Sequence, residues 1–208
     1  MKLTDKIEVT NEDNMELMSR YEDNHFDLAI VDPPYGISIN KQSGFGTLNK
    51  DKSKEWDNET PDLKYFNELF RVSKNQIIWG GNYFLDYLSN TSCFLSWDKM
   101  NGTNDMADFE LAWTSFDSPT RRFSLHHFSA GYGDKIHPTQ KPIKLYNWIL
   151  DNYAKEGDKI LDTHLGSGSI AIACHYRGFD LTACELDEDY FNSFLKRFEH
   201  QTKQLKMF

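Results

Sequence analysis

Short apolar runs alternate along the first half of the chain with segments in which apolar residues recur at helical spacing. Two segments predict helices: a polar one at 12–20, and one at 62–72 that starts at Asp62, directly after a proline. Four short apolar runs are predicted as buried strands, at 27–31, 76–81, 93–97 and 109–116. This alternation favours an α/β fold.

The last third of the chain repeats the alternation more clearly. The stretch 139–157 is predicted to be a helix with Thr139 as its N-cap, Pro142 in its first turn and Gly157 just past its end. Strands that alternate with helices are typical of a mostly parallel sheet with helices on both faces. The remaining elements are predicted as a strand at 159–165, a glycine turn, a helix at 169–178, a strand at 179–187 and a final helix from Asp189.

Two segments without clear periodicity, 36–57 and 117–136, are predicted as long irregular loops. The length of 208 residues favours one domain, and the net charge of −9 is unevenly distributed along it. Residues 118–144 contain five basic side chains against one acidic side chain. That segment is interpreted either as an ordinary solvated loop or as an edge that faces phosphates.

The composition excludes several classes of protein. The apolar runs are short and interrupted, so no membrane-spanning helix is expected. The N-terminal segment has no apolar signal core, and the three cysteines lack metal-type spacing. We therefore expect a cytoplasmic protein with reduced thiols and no metal site.

A glycine turn joins the strand at 159–165 to the helix that follows it. Gly166, Gly168 and Ala171 match the pattern G-x-G-x-x-G/A, in which glycines let the backbone approach a ligand closely. Glu185 ends the next strand, 19 positions after Gly166, where a carboxylate can hold ribose hydroxyls. The arrangement fits any cofactor that contains adenosine, including NAD.

Two further features favour S-adenosylmethionine (SAM) over NAD. Asp162 lies at the end of the same strand, where it could accept a hydrogen bond from an ammonium group but would repel a pyrophosphate. The predicted helix start within 137–142 could meet a carboxylate through its free amides, with Lys141 nearby. A zwitterionic amino acid fits both features, and a dinucleotide fits neither well.

The tetrapeptide Asp-Pro-Pro-Tyr at 32–35 directly follows the apolar run at 27–31. Considered alone, it is equally consistent with a strand that ends in an Asp-Pro turn beside a rim tyrosine. In a parallel α/β sheet, however, ligands bind beyond the carboxyl ends of the strands. Asp32 is expected to lie at that edge.

Four motifs together resemble the β-class SAM-dependent amino-methyltransferases of DNA. Their order along the chain, with the catalytic motif first and the glycine motif last, is that of the β class. Two residues depart from the family pattern: His164 stands where Phe is usual, and Thr163 where Pro is common. The four motifs are Asp-Pro-Pro-Tyr-Gly at 32–36, His-Pro-Thr-Gln-Lys-Pro at 137–142, Asp-Thr-His-Leu-Gly-Ser-Gly-Ser at 162–169 and Glu-Leu-Asp at 185–187.

The resemblance implies a single Rossmann-like methyltransferase domain over 1–208. Residues 1–114 would form its catalytic half, 115–136 a small target-recognition segment and 137–208 its cofactor-binding half. The implied reaction is site-specific transfer of a methyl group from SAM to the N6 amine of a flipped adenine in DNA.

The Asp-Pro-Pro-Tyr motif has a chemical role in such a reaction. The adenine amine is a poor nucleophile because its lone pair is delocalised into the ring. Acceptors aimed at its N–H bonds favour a more pyramidal amine, and the resemblance assigns them to Asp32 and the Pro33 carbonyl. Pro33 and Pro34 restrict the backbone so that the acceptors are preorganised. Tyr35 would stack on the flipped base.

The resemblance also implies binding residues and partners. DNA is the expected partner, and a second copy of the chain or a cognate restriction nuclease stays open. The expected cofactor-binding residues are Asp162, Leu165, Gly166, Gly168, Ser169, Glu185, His137, Thr139 and Lys141. The expected DNA-binding residues are Lys41, Lys50, Lys52, Lys54, Arg121 and Arg122.

Several alternatives stay open at this point. The nearest is methylation of cytosine N4, for which the family more often has Ser at the position of Asp32. RNA or a protein amide is a more distant substrate. A non-catalytic DNA-binding partner subunit is an alternative of a different class, and an NAD oxidoreductase would leave Asp-Pro-Pro-Tyr without a role.

Overall fold

The computed structural model describes residues 1–38, 57–102, 107–126 and 135–203, and its strands form one eight-stranded sheet. The strands are β1 (Ile7–Thr10), β2 (Phe26–Val31), β3 (Ser73–Trp79), β4 (Phe94–Asp98), β5 (Phe109–Thr114), β6 (Arg121–Ser124), β7 (Lys159–Asp162) and β8 (Asp180–Cys184). The α-helices are α1 (Asn14–Met18), α2 (Leu63–Val72), α3 (Ile143–Tyr153), α4 (Ser169–Arg177) and α5 (Glu188–Lys203).

The sheet is mostly parallel, and its strand order creates a crevice at the carboxyl ends of the central strands. The order is β1-β8-β7-β2-β3-β5-β4-β6, in which only β5 runs antiparallel to its neighbours. From the β7–β2 junction, the chain continues to β8 on one side and to β3 on the other. Ligands bind at such a switch point, outside the carboxyl ends of the strands. The predicted α/β fold is confirmed.

Helices bury both faces of the sheet, which explains why the central strands are nearly continuous apolar runs. In β2, Leu28 and Ile30 face one apolar cluster, whereas Ala29 and Val31 face the other. The first cluster contains apolar residues of α3, α4 and α5, and the second contains those of α1 and α2. No helix within the described ranges is long and apolar enough to cross a membrane.

The start of α2 is confirmed, but that of α3 is not where the sequence predicted it. The Asp62 carboxylate caps α2 by accepting from the backbone N–H groups of Lys64 (2.9 Å) and Tyr65 (3.1 Å). Helix α3 begins only at Ile143, so Thr139 is not its N-cap. A residue that precedes a proline is disfavoured in the α conformation, and Pro142 therefore ends the extended segment before the helix.

Two edge strands were missed by the sequence reasoning. Strand β6 lies within 117–136, which was predicted to be irregular, and it pairs in parallel with β4. Strand β1 pairs in parallel with β8 at the opposite edge. Both strands have four residues, too few to show a clear alternation, and β6 contains charged side chains, as edge strands often do.

Candidate active site

A cavity of about 750 Å³ lies at the carboxyl edge of the sheet. It is within the size range of small-molecule sites. Four of the predicted catalytic and cofactor-binding residues do not line it: Pro33, Tyr35, Asp162 and Gly168. The predicted residues that do line it are Asp32, Pro34, His137, Thr139, Lys141, Leu165, Gly166, Ser169 and Glu185.

The glycine turn is built so that only glycine fits at its second position. Gly166 and Gly168 have φ angles of +51° and +69°. A Cβ atom on Gly168 would lie 1.9 Å from Cδ2 of Phe194 in α5. Glu185 fixes the turn from the next strand, since its Oε2 accepts from the backbone N–H of Gly166 at 2.7 Å. The backbone therefore packs closely here while the Glu185 side chain borders the cavity.

Asp162 ends β7 as a buried carboxyl group. Its Oδ1 accepts from the backbone N–H of His164 at 3.0 Å. Burial raises the pKa of Asp162 to about 8, although that hydrogen bond lowers it, and the nearby Asp32 and Glu185 raise it further. At neutral pH this carboxyl group is mostly protonated, and a cation beside it would favour its ionisation.

The segment before α3 is held against the glycine turn by side-chain contacts. The Ser169 hydroxyl donates to the backbone carbonyl of Lys141 at 2.7 Å. The Oγ1 of Thr139 lies 3.1 Å from Nδ1 of His137, and the His137 ring packs edge-on against Tyr190. These contacts bring the 137–141 segment to the cavity wall.

The Lys141 ammonium forms ion pairs with two carboxylates inside the site. The sequence placed it near the cofactor's carboxylate, but in the structure it pairs with Oδ2 of Asp32 and, at 3.1 Å, with Oε2 of Glu110. The Lys141 side chain is 2% exposed. Burial raises the pKa of Asp32, and the Lys141 ammonium opposes that rise. Lys141 thus lies at the end of the cavity that Asp32 borders.

Glu110 is a site residue that the sequence reasoning missed. It lies in β5, and its Oε1 also pairs with Nζ of Lys99 at 2.7 Å. Burial raises the pKa of Glu110, but Lys141 and Lys99 more than offset this and bring the pKa to about 2. An acidic residue within the apolar run at 109–116 was the available signal.

Tyr35 makes contacts through both its hydroxyl group and its ring. Its hydroxyl donates to Oδ1 of Asp32 at 2.6 Å, and its ring stacks on Tyr83 with centroids 4.9 Å apart. Gly80 permits the close packing, since a Cβ atom there would lie 2.1 Å from the Tyr35 ring. Tyr35 is the residue expected to stack on a target base, and in the structure its ring already stacks on that of Tyr83.

Asp57 holds the Asp-Pro-Pro-Tyr-Gly turn in place. Its Oδ1 accepts from the backbone N–H groups of Tyr35 at 2.8 Å and Gly36 at 3.1 Å. Asp57 is 3% exposed, so these bonds are shielded from water. The sequence reasoning also missed Asp57 and Tyr83, because both act through contacts distant in sequence.

Thr163 and His164, the two residues that depart from the family pattern, take part in a network of hydrogen bonds. The Oγ1 of Thr163 lies 2.8 Å from the Tyr65 hydroxyl and 2.9 Å from Nδ1 of His164. The other ring nitrogen of His164 lies 3.1 Å from the side-chain nitrogen of Asn14. Burial lowers the pKa of His164 to about 3, so the ring is neutral. Both polar replacements are thus hydrogen-bonded at the cavity wall.

The structure places only part of the predicted DNA-binding set. Arg121 and Arg122 are exposed on β6 at the edge of the sheet, and Arg122 lies 3.8 Å from Asp98. Lys41, Lys50, Lys52 and Lys54 lie outside the described residues. Within the described ranges, no group of His, Cys, Asp and Glu side chains could hold a metal ion.

Comparison with protein families gives a match to a family described as DNA methylase. The match covers residues 78–196, more than half of the chain. Type II methyltransferase M.HpaI of Haemophilus parainfluenzae is 22% identical over an alignment of 230 positions, which covers 88% of this chain and 71% of the relative. Type II methyltransferase M2.DpnII of Streptococcus pneumoniae is 26% identical over 163 residues, 78% of this chain and 55% of the relative.

Solved structures share the fold at low sequence identity. The M1.HpyAVI–SAM complex superposes with a TM-score of 0.64 at 18% identity, covering 91% of this chain and 98% of that one. The cytosine-N4-specific PvuII DNA methyltransferase superposes with a TM-score of 0.62 at 13% identity, covering 94% and 89%. At these identities the likeness concerns the fold alone.

Proposed function

The chain belongs to the DNA methylase family that matches it, and from that premise we propose that it transfers a methyl group from SAM to the N6 amine of adenine in DNA. The family is SAM-dependent and includes enzymes that act on adenine N6 and on cytosine N4. The choice of adenine, the roles of individual residues and the partners beyond DNA are parts of the proposal.

The observation that carries the proposal is the position of Asp32. It follows β2 at the switch point of the sheet and borders the cavity, with its carboxylate oriented by Tyr35 and Lys141. An amine placed there would donate one N–H to Asp32 and the other to the carbonyl of Pro33. Tyr35 holds the Asp32 carboxylate before the amine arrives, and acceptors aimed at the two N–H bonds favour the pyramidal geometry of the reacting nitrogen.

The residues around the cavity fit SAM in chemistry and in size. Glu185 borders the cavity, where its carboxylate would accept from the ribose hydroxyls. Asp162 does not itself line the cavity, but Thr163 and His164, which follow it, do; the buried Asp162 would ionise on contact with the ammonium group, and the segment at 137–141 would meet the carboxylate. SAM, when bound, supplies the methyl group as a sulfonium, and the residues of this chain hold and orient the accepting amine.

Adenine is favoured over cytosine by the carboxylate at position 32. Among the DNA amino-methyltransferases that this chain resembles, those that act on cytosine N4 more often have Ser there. The segment at 115–136 would contribute to recognition of the DNA, with Arg121 and Arg122 facing phosphates. A second copy of the chain and a cognate nuclease remain partners to be sought.

Methyl transfer from labelled SAM to unmethylated genomic DNA tests the proposal. Wild-type protein should yield labelled N6-methyladenine after digestion to nucleosides. Asp32→Ala should abolish the label while the Kd for SAM stays within about twofold of wild type. Asp151→Ala, at an exposed site on α3, is the matched control and should retain activity. Label on cytosine, RNA or protein would overturn the substrate assignment.

A further inference from the structure

Both oxygens of the Asp32 carboxylate already have donors. Oδ1 accepts from the Tyr35 hydroxyl at 2.6 Å, and Oδ2 forms an ion pair with the Lys141 ammonium. Under the proposed function, on which this inference rests, the same carboxylate must also accept from the target amine. The contact with Lys141 is an N–H donor contact, which is the kind of contact that the amine would make.

The Lys141 ammonium is poorly suited to remain there during the reaction. The accepting nitrogen becomes positively charged as the N–CH₃ bond forms and the S–CH₃ bond breaks, until it releases a proton. A second cation on the same carboxylate would oppose that charge, because like charges at contact distance repel strongly in a site shielded from water. Lys141 therefore needs another anionic partner nearby.

Glu110 is that partner. Its Oε2 already lies 3.1 Å from Nζ of Lys141, and Lys99 holds its other oxygen at 2.7 Å. The rings of Trp79 and Tyr35 lie 5.2 and 5.9 Å from the ammonium and favour a cation in this place. Lys141 can thus leave Asp32 through a small movement without becoming an unpaired buried charge, which would be costly.

We propose that the Lys141 ammonium occupies the acceptor site of the target amine on Asp32 between turnovers, and that Glu110 receives it when the amine binds. Lys141 and Glu110 are then positioning residues: neither touches the methyl group, and both control access to Asp32. Among the described residues, removal of the Glu110 charge leaves Lys141 with Asp32 as its sole carboxylate partner. The amine must then displace a more tightly held ammonium.

The experiment measures DNA affinity in the presence of S-adenosylhomocysteine, the demethylated product of SAM, so that no reaction occurs. The probes are two duplexes that contain the recognition site, which is first identified by sequencing methylated DNA. One duplex has the target adenine, and the other has purine in its place, which lacks the amine. Glu110→Gln should weaken binding of the adenine duplex about tenfold and leave binding of the purine duplex within about twofold. Glu110→Asp should restore most of the affinity.

Two further variants separate this role from a structural one. In a Lys141→Met background there is no ammonium to displace, so Glu110→Gln should no longer affect binding of the adenine duplex. Glu68→Gln is the matched control, because Glu68 is equally exposed and is ion-paired with Arg71 instead. It should bind both duplexes as wild type does.

The outcomes distinguish the inference from the proposed function. Equal weakening for both duplexes, equal weakening with and without Lys141, or no weakening at all would overturn the exchange of partners. Each of these results is compatible with a wild-type protein that methylates adenine. If the wild-type protein methylates no DNA, the proposed function itself fails, whatever the binding data show.

Discussion

Lys141→Met is the substitution that most directly probes the ion pairs of Lys141 with Asp32 and Glu110. Two unit charges 3.1 Å apart, the distance between Lys141 and Glu110, attract by about 5 kcal/mol at an effective dielectric constant of about 20. The variant avoids the cost of burying the ammonium but leaves Asp32 without its counter-charge. Breaking a buried pair in this way typically costs about 3–5 kcal/mol, and we expect a loss of that size in the free energy of unfolding at pH 8.

The loss should depend on pH in a definite direction. Burial raises the pKa of Asp32 above its unfolded value, and removal of Lys141 removes the largest interaction that lowers it. A raised carboxyl pKa means that folded-state stability declines as pH rises through that pKa. The deficit of Lys141→Met relative to wild type should therefore be larger at pH 8 than at pH 5, where the variant's Asp32 is more often protonated.

Urea unfolding followed by tryptophan fluorescence at the two pH values measures both effects. Lys74→Met, which removes an exposed partner of Asp27, is the control and should change stability much less and without the pH trend. In an Asp32→Asn background the cost of Lys141→Met should be clearly reduced, because the buried charge is no longer there. Equal costs in both backgrounds, or a deficit that does not change with pH, would refute this account of the ion pairs.

Three further outcomes follow from the cofactor end of the cavity. Glu185→Gln should weaken SAM binding in calorimetry by about tenfold or more, since it loses charge-assisted hydrogen bonds; an unchanged Kd would remove Glu185 from the site. SAM affinity should rise about 20-fold from pH 6 to pH 8, because the ionised fraction of Asp162 rises about 50-fold while the protonated fraction of the cofactor's amine falls to about half or less. Asp162→Asn should abolish this rise, and a wild-type Kd independent of pH would contradict it. Gly168→Ala should lower the free energy of unfolding by at least about 2 kcal/mol, because the new methyl group meets Phe194 and φ is +69°; a wild-type unfolding curve would contradict this packing.

The mostly parallel arrangement of the sheet and the edge at which the cavity lies could be predicted from the sequence, for a physical reason. Strands buried on both faces are recognisable as apolar runs, and parallel connections bring their carboxyl ends together. Asp32 and Glu185 each follow such a run directly, so their placement beside one cavity required no knowledge of side-chain packing.

The partners of Asp32 could not be predicted in the same way. The contact of Glu110 with Lys141 depends on β5 inserting between β3 and β4 in antiparallel orientation, a long-range pairing that local patterns do not specify. The stacking of Tyr83 on Tyr35 likewise depends on the close approach that Gly80 permits. The start of α3, by contrast, could have been corrected from the proline at 142 alone.

The measurement that tests the central claim most directly is modification-sensitive sequencing of DNA from cells that express the protein and otherwise lack DNA methylation. The account predicts N6-methyladenine at one short recurring sequence, and none in cells that express Asp32→Ala. N4-methylcytosine at a recurring sequence would contradict the assignment of adenine. Unmodified DNA from cells that contain the folded wild-type protein would contradict the proposed activity as a whole.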